Sequence, residues 1–122
     1  MPIKTSMRDI NAYQTRDGSE IRELLHPQQQ PMSGRQSLAE ARLQPGQKTI
    51  LHRHPQTEEI YHILSGSGRM RCGDEIFDVR SGDSVLIPPG HAHCIENHGD
   101  AVLSLLCYCA PAYSHDDTEL LE

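Results

Sequence analysis

Glycine and proline divide this chain into pieces too short for most helices. Turn signals centred on Asp17-Gly18, Pro45-Gly46, Gly66-Ser67-Gly68, Gly73-Asp74 and Ser81-Gly82-Asp83 punctuate the chain, and the patterned runs among them are four to nine residues long, a length that suits strands. Over Ser37 to Leu43 the side chains of Ala39, Ala41 and Leu43 fall on one face and those of Glu40 and Arg42 on the other. That period of two is the mark of a half-buried strand. The same pattern places strands at Glu59 to Ser65, Arg69 to Cys72, Glu75 to Val79, Ser84 to Ile87, Ala92 to Asn97 and Ala101 to Cys109. Many short strands at close spacing predict an all-β antiparallel barrel or jelly roll. Gly73-Asp74 reads as a two-residue hairpin connection and Gly66-Ser67-Gly68 as a second tight turn. The tail alone invites a helix, because Ser114 with Asp117 three residues later imitates a capping box.

A chain of 122 residues has mass for one core, so a single domain over residues 1–122 is expected. Ile, Leu and Val supply that core almost alone, since the sequence holds one Phe and no Trp. Few aromatic platforms and a net charge of -6 argue against nucleic acid as a partner, because phosphate backbones are bound by basic faces. No segment approaches the roughly 20 apolar residues of a membrane helix, and the amino terminus lacks the pattern of an export signal. The expectation is a cytoplasmic protein that does not enter membranes. Four cysteines in a chain with a real core and no export signal are expected to be reduced thiols. Cys107 and Cys109 share a strand face and read as packing residues, since they lack the spacing of a zinc site.

Chemistry enters with the histidines. His52 and His54 are separated by one residue, so in an extended segment both imidazoles leave the same face and Arg53 leaves the other. Pro55 removes a ladder donor and ends the strand. On the returning strand Glu59, Tyr61 and Ile63 share the inward face, which sends the neighbouring Glu58 outward. Pro88-Pro89-Gly90 then delivers a segment in which His93, Ile95 and Asn97 point inward. Three imidazoles and one carboxylate need a reason to leave water, and a single ion held by His52, His54, Glu59 and His93 provides it. The mixed nitrogen and oxygen set suits one divalent transition metal: iron, manganese, nickel, cobalt, copper or zinc. Four protein ligands on a six-coordinate ion leave two positions open, the condition for catalysis. Tyr61 is a candidate for a catalytic hydroxyl beside Glu59. His26, His62, His91, His98 and His115 read as ordinary surface or core residues, and the acidic end from Asp116 to Glu122 as a solvated tail. The functional alternative has Tyr113 to Glu119 covering the barrel mouth.

At these residues the chain resembles the cupin superfamily, in its small single-domain form. Gly46, His52, His54, Glu59 and Gly66 match the spacing of the first cupin motif, and Gly82, Pro88, Gly90, His93 and Asn97 match the second, with fifteen residues between Gly66 and Gly82. The motifs cover 46–66 and 82–97. The resemblance implies a six- to eight-stranded antiparallel barrel, a metal on the three His and the Glu, and a homodimer formed by strand exchange at the amino-terminal side. It further implies a metalloenzyme for a small-molecule substrate: an oxygenase, a sugar isomerase or epimerase, or a lyase or decarboxylase. A non-catalytic metal- or ligand-binding sensor is the alternative from another class.

Overall fold

The protein, described over residues 2–122 by a computed structural model, is built almost wholly from antiparallel strands. In chain order these are β1 (Tyr13–Gln14), β2 (Glu20–Leu25), β3 (Ser37–Leu43), β4 (His52–Arg53), β5 (Glu58–Ser65), β6 (Ser67–Cys72), β7 (Glu75–Arg80), β8 (Ser84–Ile87), β9 (His93–Glu96), β10 (Leu103–Ala110) and β11 (Glu119–Leu120). One sheet has the order β1-β2-β3-β10-β5-β8 and the other β11-β4-β9-β6-β7. The two form a jelly roll with open edges rather than a closed barrel.

Alternation decides what the core contains. Ala41, Leu43, Ile63 and Leu105 from the first sheet meet Met70, Val79 and Ile95 from the second. Fully burying an aliphatic side chain of this size contributes about 1.5–3 kcal/mol. Met70 is fully buried between exposed Arg69 and Arg71, as period two requires. Glu40 departs from the expected pattern, because it is buried although it lies on the outward face of β3. There it accepts from Arg42 Nε at 2.7 Å and Ser104 Oγ at 2.8 Å. Long arginine stems on that face cover the carboxylate and neutralise it.

The connections divide into those the sequence reveals and those it disguises. Cys72 pairs with Glu75 across a two-residue Gly73-Asp74 turn, and Gly73 takes the positive φ of 59° that a type II′ hairpin needs at that position. Gly66 is not in a hairpin. It is the one residue between β5 and β6, where the chain leaves one sheet for the other. Its φ is 83°, and a Cβ there would lie 2.6 Å from the Val102 carbonyl oxygen, so only glycine fits the corner. The expected carboxy-terminal helix is a single 3-10 turn, His115–Asp117, capped by Ser114 Oγ accepting from Asp116 N. Helical structure stops there because the next residues pair as a strand with β4, Leu120 opposite His52. No helix among the described residues is long and apolar enough to cross a membrane.

Candidate metal centre

Strand pairing brings the two histidine-bearing segments together. His52 in β4 lies directly across from His93 in β9, and their ring centroids are 4.2 Å apart. His54 follows β4 at the point where Pro55 ends it, held in place as its carbonyl accepts from Gly90 N at 2.8 Å. Glu59 arrives from the opposite sheet, on β5 between Cys109 and Ile87. All four side chains are buried, whereas Glu58 is exposed. One ring nitrogen from each of His52, His54 and His93 lies within 4.8 Å of the other two, a grouping that could hold a metal ion.

The hydrogen bonds behind the rings set their tautomers. His52 Nδ1 donates to the Ile50 carbonyl at 2.6 Å, and His93 Nδ1 donates to the His91 carbonyl at 3.0 Å. His54 Nδ1 lies 3.2 Å from both the Asp117 carbonyl and Thr118 Oγ1. The Thr118 hydroxyl already donates to the Ser114 carbonyl, so it accepts from His54. Each Nδ1 thus carries the proton and each Nε2 turns a lone pair inward, the outer-sphere pattern of metal-binding imidazoles.

Glu59 Oε1 approaches the Nε2 atoms of His54 and His93 at 3.3 and 3.2 Å. Yet Glu59 Oε1 and His93 Nε2 are both fully buried without a hydrogen-bond partner. Buried polar atoms left in this way are costly, and a cation among them removes the cost. The donor set therefore fits a divalent ion. On its other side Glu59 Oε2 accepts from the Cys109 thiol at 3.5 Å. Burial, then the charge of Glu59, pushes the Cys107 and Cys109 thiols upward, so both stay protonated and neither is a thiolate ligand. All four cysteines are free.

Electrostatics sharpen the roles. Burial works against a charged Glu59, but a proton on the flanking imidazoles of His54 and His93, in place of a cation, outweighs it and holds the carboxyl well below its usual range. For His54 burial likewise opposes protonation, and Glu59 with Asp117 more than offsets it, raising the imidazole above 6.5. His52 is lowered, first by burial and then by His93. Proton and metal compete for Nε2, so metal affinity should fall with acidity, starting above pH 6.5 where His54 protonates; His52 joins only at lower pH. A Co2+ titration from about pH 8.5 to 5.5 is expected to show roughly tenfold weaker binding per unit on the acid side of His54. A flat affinity across that range would contradict the arrangement.

Tyr61 is buried with its ring 5.9 Å from that of His93. Burial keeps its phenol neutral, which makes it a hydrogen-bond donor rather than a base. His52, His54, Glu59 and Tyr61 border a cavity of about 40 Å³, enough for a few small heavy atoms; His93 is fully buried and is not part of its lining. An outer groove of about 320 Å³ shares Glu23 and Tyr113 with the cavity. The tail is therefore more than a solvated end. Tyr113 edges onto His54, and the Asp117 carboxylate accepts from Gln56 N and Thr57 N. His26, His62, His91, His98 and His115 lie outside the cavity lining. Sequence reasoning missed Thr15, Asp17 and Ser19, which line the cavity from the β1–β2 loop; only the Asp17-Gly18 turn signal marked their position.

A double-sheet jelly roll with three inward imidazoles able to hold a metal defines a small cupin-like β protein. The family model described as "Cupin domain" matches residues 39–109, and the chain belongs to the cupin family. An uncharacterized protein of Methanocaldococcus jannaschii is 52% identical over 120 residues, covering 98% of this chain and 95% of its own. Among solved structures, the Lactobacillus farciminis oxalate decarboxylase in a formate complex is 26% identical with a TM-score of 0.80, over 94% of this chain and 34% of that one. A Thermotoga maritima protein described as a predicted oxalate decarboxylase is 24% identical with a TM-score of 0.79, over 89% of this chain and 99% of that one.

Proposed function

We propose that this protein is a metal-dependent enzyme for a small oxygenated molecule, with one divalent transition ion held by His52, His54, Glu59 and His93. The observation that carries the reading is the set of three buried imidazoles whose Nδ1 protons are all committed outward, facing a carboxylate oxygen that has no hydrogen-bond partner. Iron, manganese, nickel, cobalt, copper and zinc all suit that donor set. When bound, such an ion supplies Lewis acidity toward an oxygen of the substrate.

The chain's own residues do the rest. The Ile50, His91 and Asp117 carbonyls fix the imidazole planes, and the Cys109 thiol holds the carboxylate of Glu59 from behind. Tyr61 offers a neutral hydroxyl group at the cavity wall. Space beside the ligands supports turnover over mere storage, since a structural site is closed by its own ligands. Oxygenase, sugar isomerase or epimerase, and lyase or decarboxylase chemistry are the three classes to assay. The Lactobacillus farciminis neighbour adds support to the last, through fold and partial identity alone. Protein loaded in turn with each ion should consume dioxygen, isomerise a sugar or release carbon dioxide from one member of a substrate panel. The turnover should vanish on chelation and return with the metal. Tight ligand binding without product across the panel would replace the enzyme by a non-catalytic binding or sensor protein.

A further inference from the structure

Asp17 stands at the tip of the loop that joins β1 to β2, and its Oδ2 lies 3.4 Å from Nε2 of His52. The carboxylate is built into place. Its Oδ1 accepts from Thr15 Oγ1, from Ser19 N at 2.9 Å and from Ser19 Oγ at 2.7 Å. The Asp17 carbonyl accepts from Ile50 N at 2.7 Å, which pins the loop to the segment leading into β4. Because the Nδ1 proton of His52 goes to Ile50, two electron-rich atoms, Nε2 and Oδ2, face each other across 3.4 Å.

Glu59 Oε1 faces His54 and His93 in the same way, at 3.3 and 3.2 Å. Donors bonded to one ion at about 2.1 Å lie roughly 3.0–3.4 Å apart for the usual right-angle to tetrahedral arrangements. Every inward Nε2 therefore has a carboxylate oxygen at a ligand-to-ligand separation, and for His52 that oxygen belongs to Asp17. We infer that Asp17 is a second carboxylate of the metal centre, and that it makes the site select an uncharged hydroxyl-bearing ligand over a carboxylate or phosphate.

The selectivity follows from charge, and it rests on the metal reading above. Two carboxylates balance a divalent ion, so a further anion would bring an uncompensated charge into a buried site. No Lys or Arg among the described residues lines the cavity to offset it, and Glu23 places another carboxyl in the lining. A neutral hydroxyl keeps the balance and can donate to Asp17.

The test uses the full chain titrated with Co2+ and followed by visible absorption. Asp17→Asn keeps an oxygen for the Thr15 and Ser19 donors, so the loop is retained, while the second negative charge is lost. It should bind Co2+ at least about tenfold more weakly, with an altered spectrum. Glycolamide and glycolate then serve as neutral and anionic ligands of nearly one shape. The wild-type Co2+ spectrum should respond to glycolamide at lower concentration than to glycolate, and Asp17→Asn should narrow or reverse that order. Wild-type affinity and spectrum in Asp17→Asn would reduce Asp17 to a loop tether. A preference for glycolate in the unmodified protein would overturn the selectivity without recourse to any variant. His93→Ala separates the two levels: if it still binds Co2+ like the wild type, the metal reading itself fails, whereas loss there with no change in Asp17→Asn removes only the role of Asp17.

Discussion

Replacing His93 by alanine should lower the affinity for a divalent ion by at least about 100-fold, or about 2.8 kcal/mol. His93 is fully buried, directly across from His52, and its Nε2 is 3.2 Å from Glu59. Without it a ligand is lost and a void replaces the ring, so the remaining groups must hold the ion without their central member. His91→Ala is the matched control, because that side chain is exposed while its carbonyl, which orients His93, survives the substitution. The effect should also appear in thermal unfolding. An ion present at 100 times its dissociation constant stabilises the native protein by about 2.7 kcal/mol, and His93→Ala should forfeit that gain. Equal metal content in the two variants would refute the role of His93.

Asn97→Ala should be equally damaging, but to stability rather than to the ligand set. Asn97 is fully buried and its amide makes three hydrogen bonds. Nδ2 donates to the Leu43 carbonyl at 2.9 Å and the Ala101 carbonyl at 2.8 Å, and Oδ1 accepts from Gly99 N at 3.0 Å. The side chain thus ties the end of β3 to the turn that leads into β10. Alanine would leave these backbone groups without partners, at a cost of about 3 kcal/mol, or roughly 10 °C in Tm for a chain of this size. Asn97→Asp should be no better, since it sets a carboxylate oxygen against two carbonyls. The folded fraction of Asn97→Ala should still take up one ion per chain. A Tm within about 2 °C of the wild type would show that the bonds contribute little.

These two motif histories show what a sequence exposes. Alternation and spacing made His52, His54, Glu59 and His93 legible, because strand period fixes which side chains share a face and a two-residue gap keeps two imidazoles together. The seven residues of β3 and the four of β8 were legible for the same reason. Asn97 was visible as a motif position, but its work as a backbone tie emerges only where Leu43 and Ala101 come within reach. Gly66 carries a turn signal in the sequence, yet its corner depends on the approach of Val102, distant along the chain. Asp17 left no periodic trace, since a loop residue is delivered to the site by one backbone hydrogen bond to Ile50. The tail's capping pattern suggests a helix because that signal is local, whereas the pairing of Leu120 with His52 that replaces it is not.

The most direct measurement is a crystal structure of the protein grown with Co2+ or Mn2+, with the ion located by anomalous scattering. One peak per chain, bonded at about 2.0–2.3 Å to Nε2 of His52, His54 and His93 and to Glu59 Oε1, is the predicted result, with Asp17 Oδ2 as the further donor if the second-carboxylate inference holds. A peak bound through Nδ1, one seated elsewhere, or an imidazole cluster that stays empty at saturating ion would contradict it.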